Sequence, residues 1–234
     1  MRSVKAIFIK QAKDMTKNFS VLAMFVIFPL VAFGMTHFVA RGNDDISDTM
    51  FTTMMASIFV GMALIQSACT IIAEDREKKS LRFLVIAGVK PLAYLLGIGG
   101  VIFIASLFSS LAFGYIGGFA RDEFIAFMAV MMSGAVASII LGATIGIYAK
   151  NQQAATGLSM PIAVVLGFSP MVAQFNERVE DVVGVLYTQQ INVVVNDFSA
   201  GLAAPLAVIW ANIAVLAVLF VLAYARKGLR GEAN

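Results

Sequence analysis

"AEDREKKSLRFLVIAGVKP", residues 73–91, carries eight charged residues, about a quarter of the chain's total, between two long apolar runs. Glu74, Asp75, Arg76, Glu77, Lys78 and Lys79 are consecutive, and Arg82 and Lys90 follow. A compact charged insert of this kind marks a point where the chain leaves an apolar environment and then re-enters it. The flanking runs are about 20 residues or longer, enough for a helix to cross a hydrocarbon core about 30 Å thick.

The rest of the 234-residue chain agrees. It is 60 % hydrophobic and only 13 % charged, with a mean hydropathy of +0.88. Soluble domains carry roughly 25 % charged residues. Backbone polar groups in lipid must be satisfied internally, which leaves helices or closed barrels. Barrel strands of about 10 strictly alternating residues are not visible. The fold class is therefore all-α: a polytopic membrane protein with six transmembrane helices, at about 21–39, 51–73, 92–119, 124–149, 154–175 and 204–225. Pro29, Pro161 and Pro170 fall within spans.

Residues 1–19 precede the first span. Val4, Phe8, Ala12, Met15 and Phe19 recur at helical spacing, with Lys5, Lys10, Lys13 and Lys17 mostly off that stripe. This predicts an N-terminal amphipathic interfacial helix, its lysines near anionic lipid head groups. Orientation follows from the basic residues. Placing both termini in the cytoplasm puts fourteen Lys and Arg inside and leaves Arg41, Arg121 and Arg178 outside, a strong positive-inside bias. The outer loops are acidic, with Asp44, Asp45, Asp48, Asp122, Glu123, Glu177, Glu180, Asp181 and Asp197. The longest of them, residues 176–203, places Val179, Val182, Val183 and Leu186 at helical spacing and reads as a short helix on or dipping into the outer leaflet, with a plain solvated loop as the alternative.

Enzyme chemistry finds little support. His37 is the lone histidine and Cys69 the lone cysteine, so neither a base–nucleophile cluster nor a cysteine metal site can be assembled. No G-x-x-x-x-G-K-[ST] loop occurs to cradle nucleotide phosphates. The deep polar residues are neutral, among them Gln66, Ser67, Thr70, Ser109, Ser138 and Asn212. They line a path or bond across helices. The spans offer no protonatable group as an obvious switch for a proton-driven cycle, so for uphill transport the expected energy source lies outside the chain. Gly134, Ser138, Gly142 and Gly146 form a ridge of small residues in the fourth span, and Gly114 with Gly118 a shorter one in the third; such rows allow close helix approach.

In the charged insert, Glu74 with Lys78 and Asp75 with Lys79 are i,i+4 pairs in the favourable order. Leu81, Leu84 and Val85 predict an apolar stripe on the same short helix. Gly88 suits a left-handed cap and Pro91 the first turn of the third span. The insert reads either as a docking helix for a cytoplasmic partner or as a salt-bridged loop that only maintains topology.

At these residues the sequence resembles the permease subunits of type-2 ABC exporters. That family carries acid-Arg-Glu, two further residues, then Thr-Leu and another Leu between its second and third spans. Asp75, Arg76, Glu77, Ser80, Leu81 and Leu84 match, and Gly97 matches a later glycine. The departures are Asp75 for Glu, Lys79 for Gly, Ser80 for Thr, Gly88 for Pro and Ile98 for Lys. The resemblance implies that residues 74–90 are a cytoplasmic coupling segment, with those six residues contacting a separate ABC ATPase subunit. It further implies a second permease chain, as homodimer or heterodimer, and ATP and Mg bound on the ATPase, with no cofactor on this chain. Substrates would be drugs, antimicrobial peptides, lipids or polysaccharide precursors, moved outward across a plasma membrane. Membrane lipids are further expected partners and nucleic acid is not. Two rivals stand beside this reading: a stand-alone secondary transporter or channel, and a non-transporting scaffold or sensor.

Overall fold

The computed structural model describes residues 2–43, 47 and 49–228. Asp44, Asp45, Asp48 and Arg230 lie outside the described residues. Among those described, the regular elements are all helical. Six segments are long and apolar enough to span a membrane: Val21–Gly42, Met50–Glu77, Pro91–Gly117, Arg121–Tyr148, Gln152–Ala173 and Ala203–Arg226. Each agrees with the sequence-based span to within a few residues.

Helix α1 (Arg2–Lys17) precedes the first span, α2 (Phe19–Phe38). The second span is composite. It begins as α3 (Met50–Ile58), passes through a π-helical segment (Phe59–Leu64) and continues as α4 (Ile65–Glu77). After a two-residue break comes α5 (Ser80–Ile86), then α6 (Pro91–Gly117), α7 (Arg121–Tyr148) and α8 (Gln152–Ala173). Two short helices, α9 (Glu177–Val183) and α10 (Tyr187–Asn196), lead to the sixth span, α11 (Ala203–Ala223).

The second span is the most buried of the six, and the fourth packs along it. Small residues make that contact possible. A Cβ added to Gly146 would lie 2.8 Å from the Cys69 carbonyl oxygen, and one at Gly142 would strike the carbonyl of Ile65. The π segment meets the fifth span in the same way, since a Cβ on Gly61 would sit 2.7 Å from the Cα of Gly167. Ser138, on the same ridge, donates its hydroxyl to the Val60 carbonyl at 2.7 Å. It thereby satisfies a backbone acceptor inside the π segment, where the helical ladder is disturbed. Gly118 behaves differently from the ridge expectation. It is the left-handed cap of α6, at φ 63°, with open space around it.

Helix α1 docks against α6 rather than standing free of the bundle. Its buried face is Ile7, Gln11 and Met15, which shifts the predicted stripe. Phe19 begins α2 and is 83 % exposed. Gly97 explains the docking, because Ile7 occupies the space a side chain there would need, at 2.5 Å. An open apolar groove of about 710 Å³ runs between α1, α2 and α6.

The long loop also departs from expectation. It forms two helices, and the second carries most of the burial. Val182 is exposed, whereas Tyr187, Ile191, Val194 and Val195 of α10 are buried against the bundle. Tyr187 shares a hydrogen bond of 2.8 Å with Ser138, so α10 reaches back to the fourth span's small-residue ridge.

Candidate functional site

The acid-Arg-Glu run lies at the C-terminal end of α4, as a continuation of the second span rather than part of a separate amphipathic helix. Helix α4 stops at Glu77, and Lys79 adopts a left-handed conformation at φ 57°. The turn that follows redirects the chain into α5. This break has two consequences for the predicted pairs. Lys78 reaches Glu74 at 2.5 Å, and that bond raises the Lys78 pKa. Asp75 and Lys79 cannot pair as i,i+4 partners, because the helix between them has ended.

Asp75 turns inward instead and is buried. One carboxylate oxygen pairs with Lys10 of α1, and the other accepts a hydrogen bond from the Tyr94 hydroxyl of α6 at 3.1 Å. Lys10, expected near lipid head groups, is thus bound to the protein. Arg76 donates to the carbonyls of Ile147 and, at 3.0 Å, Ala149. Those are carbonyls at the C-terminal end of α7, where a helix lacks internal donors and favours a cation. Glu77 accepts from the Gln152 backbone N–H at 3.3 Å, at the start of α8, where the helix favours an anion. Three consecutive residues therefore fasten the end of the second span to α1, α6, α7 and α8.

The six residues matched in sequence divide accordingly. Asp75, Arg76 and Glu77 make internal contacts. Ser80 opens α5, and Leu84 packs against the core. The side chains of Leu81, Arg82 and Val85 lie outside the described residues. Among the described side chains of α5, Phe83, 70 % exposed, and Ile86, 73 % exposed, face outward one helical turn apart. Sequence reading missed this pair because the predicted stripe occupied the opposite positions of the same turn.

Gly88 closes α5 at φ 76°, with Val89 N–H donating to the Leu84 carbonyl at 3.0 Å. Both are features of a left-handed helix cap. Proline, fixed near φ −65°, cannot adopt that conformation, so the turn here is built differently from one containing proline. The Val89 carbonyl in turn accepts from the Tyr224 hydroxyl at 3.3 Å, tying the linker to the sixth span.

Adjacent to the clasp is a chamber of about 500 Å³ between the first, second and fifth spans. Its walls include Met24, Met62 and Met160, with Gln66, Ser67 and Thr70 on the second span. Gln66 is held from two sides. Its Nε2 donates to Met160 Sδ at 3.1 Å, and its Oε1 accepts from Ser159 at 3.1 Å. The other deep polar residues mostly serve packing: Ser109 bonds the Phe25 carbonyl, Ser138 that of Val60 and Asn212 that of Val185. Of the deep polar residues, Gln66, Ser67 and Thr70 line this chamber. Its mouth is formed partly by Gln152 and Gln153, and Gln152 is the residue bonded to Glu77.

Six apolar helices, a largely apolar chamber among them and a charged clasp at one end describe a polytopic membrane protein. The family described as ABC-2 family transporter protein matches residues 43–225. The chain belongs to that family and is a multi-pass membrane subunit of an ABC transporter. Comparison with curated proteins gives no match.

Proposed function

We propose that this chain is the permease of an ATP-driven exporter, moving amphipathic or hydrophobic substrates outward with a separate ATPase subunit. Both termini and α5 face the cytoplasm in this reading, supported by the fourteen-to-three bias of basic residues. The ATPase docks on α5 through Phe83 and Ile86. Exposed aromatic and aliphatic side chains at the centre of a contact supply most of its affinity, and the basic Lys78 and Lys79 directly precede α5.

One observation carries the proposal: the Glu77–Gln152 link joins the junction beneath α5 to the mouth of the chamber. A push on α5 is transmitted through the turn at Lys79 to the end of α4. There the clasp moves the ends of α1, α6, α7 and α8 together. Displacing the first turn of α8 changes the gap between the first and fifth spans, where a substrate would enter. The methionines and amides of the wall suit a largely apolar guest with a few hydrogen-bonding groups. A second permease chain would close the open side of the chamber.

The deciding experiment is co-purification of the tagged chain with its ATPase. Phe83→Asp and Ile86→Asp should each reduce recovered complex at least tenfold while inserting and folding normally. Gln66→Leu should leave the complex intact and alter substrate-stimulated hydrolysis. Retention of wild-type complex and transport by both α5 variants would defeat the docking role. ATP-independent flux through the purified chain would favour a stand-alone transporter.

A further inference from the structure

The groove of about 710 Å³ between α1, α2 and α6 has a buried floor and exposed lips. Phe25, Val101 and Ser109 form the floor, whereas Leu30 and Phe108, 64 % and 67 % exposed, form the lips. The two hydroxyl-bearing residues of its lining, Thr16 and Ser109, both spend their protons inside the protein. Pro29 has no N–H for the Phe25 carbonyl one helical turn before it, and Ser109 donates there instead, at 2.7 Å. Thr16 donates to the Lys13 carbonyl at 2.8 Å. An occupant is therefore held along its length by apolar contact alone.

Along α2 the lining runs from Leu22 to Phe33, a rise of about 16 Å at about 1.5 Å per residue. Half of a hydrocarbon core about 30 Å thick is about 15 Å, so the groove has the reach of one acyl chain in one leaflet. Helix α1 lines one end of it through Phe8, Ala12, Met15 and Thr16, and α1 is also where cations gather. Lys5, Ile9, Ala12 and Thr16 follow one stripe at i, i+4, i+7 and i+11, which places Lys5 on the groove-side edge of the helix. Lys13 lies one turn from both Ile9 and Thr16. Both lysines are exposed and without an ion-pair partner among the described residues, since the one carboxylate of α1, Asp14, faces Lys10 at 3.6 Å. An apolar channel of leaflet length with free cations at one end complements an anionic head joined to an apolar tail. The tail alone gives no selection, because the surrounding bilayer is equally apolar. Each lysine near an anionic head favours it by about fivefold.

We propose that this groove is a resident binding site for an anionic phospholipid, with one acyl chain along α2 and α6 and the phosphate beside Lys5 and Lys13. The lipid braces α1. Ile7 and Phe8 seat that helix on Gly97 and Gly100, and an occupied groove holds Phe8 from its open side, and with it Lys10 of the clasp. Binding requires neither an ATPase nor a particular topology.

The test uses the full chain, purified and delipidated in detergent. It is titrated with phosphatidylglycerol or phosphatidylcholine of identical acyl chains, and bound lipid is counted by native mass spectrometry. One phosphatidylglycerol per chain should bind at least fivefold more tightly than phosphatidylcholine and should raise the thermal midpoint. Combined Lys5→Gln and Lys13→Gln should bring the two lipids to equal affinity. Combined Lys79→Gln and Lys150→Gln, an equal loss of charge off the groove, should keep the preference. Ala112→Phe, which fills the groove, should weaken both lipids at least fivefold. Equal affinity of the wild-type chain for the two lipids would overturn the proposal, as would a preference that survives loss of Lys5 and Lys13. Ala112→Phe that changes the oligomeric state and leaves lipid binding intact would assign the groove to a second copy of the chain instead. Lipid binding without a rise in the midpoint would overturn the brace.

Discussion

Tyr94 donates its hydroxyl to Asp75 Oδ2 at 3.1 Å while Lys10 holds the other oxygen. A carboxylate buried at the end of a membrane span is therefore satisfied from two elements distant in sequence. Hydrogen bonds to charged groups contribute about 1.5–3 kcal/mol, and leaving a buried charge unpaired costs about 3–5 kcal/mol. The Lys10 side chain is 42 % exposed, so solvent moderates its loss. Lys10→Met should lower unfolding stability in detergent by about 1–3 kcal/mol. Adding Asp75→Asn should recover most of that, since the amide still accepts from Tyr94. A double variant as unstable as the summed singles would show that the two residues act independently.

Glu77 separates docking from transmission. Glu77→Leu removes the acceptor for the Gln152 N–H without touching the exposed face of α5. We predict that it keeps the ATPase bound and loses most substrate stimulation of hydrolysis. Glu77→Gln, which still accepts, should retain both. Loss of the partner in Glu77→Leu would instead make this carboxylate part of the docking surface.

Gly61 supplies a packing test. A methyl group there meets the Gly167 backbone at 2.7 Å, where no side-chain rotation can relieve it. Overpacking of this kind costs about 1–3 kcal/mol, and Gly61→Ala should lower the thermal midpoint accordingly. Gly157→Ala, with open space around the glycine, should not. Equal behaviour of the two would contradict the contact.

The turns around α5 yield a further pair. Left-handed backbone costs a non-glycine residue about 1–2 kcal/mol, and glycine's extra unfolded-state freedom returns about 0.5–1 kcal/mol of that. Lys79→Gly should thus stabilise the chain by about 0–1.5 kcal/mol. Gly88→Pro should disrupt the turn, because φ 76° is closed to proline. Thermal unfolding of both variants decides.

Orientation is testable by single cysteines in a Cys69→Ala background. Positions 123 and 181 should react with an impermeant thiol reagent in intact cells, and positions 79 and 150 only after permeabilisation. Labelling at position 79 from outside would invert the proposed topology.

Hydropathy located the six spans because burial in lipid acts on long contiguous runs, a signal local to each segment. The charged run was equally visible, and its Glu74–Lys78 pair formed as the spacing required. Its inward contacts were hidden for a physical reason. Lys10, Tyr94, Ile147 and Gln152 reach it through tertiary packing, and no periodicity links them to residue 75. The failure of the Asp75–Lys79 pair had a local cause, a helix end that charge spacing does not report. In the long loop, Tyr187, Ile191, Val194 and Val195 do follow i, i+4, i+7, i+8 spacing, so a longer window would have found α10.

The clasp also implies an order of events during synthesis at the ribosome. Lys10 precedes Asp75 by 65 residues and Tyr94 follows it by only 19. Both partners of the buried carboxylate exist before the third span is complete, so α1 can be captured early. Arg76 must wait for acceptors 71 and 73 residues downstream, and Glu77 for a donor 75 residues downstream. Until the fourth span is inserted, those two charges keep their water shells and hold the nascent second span's end at the membrane surface. Of the three adjacent residues, Asp75 thus finds its partners first, and Arg76 and Glu77 find theirs only as the fourth and fifth spans join the bundle.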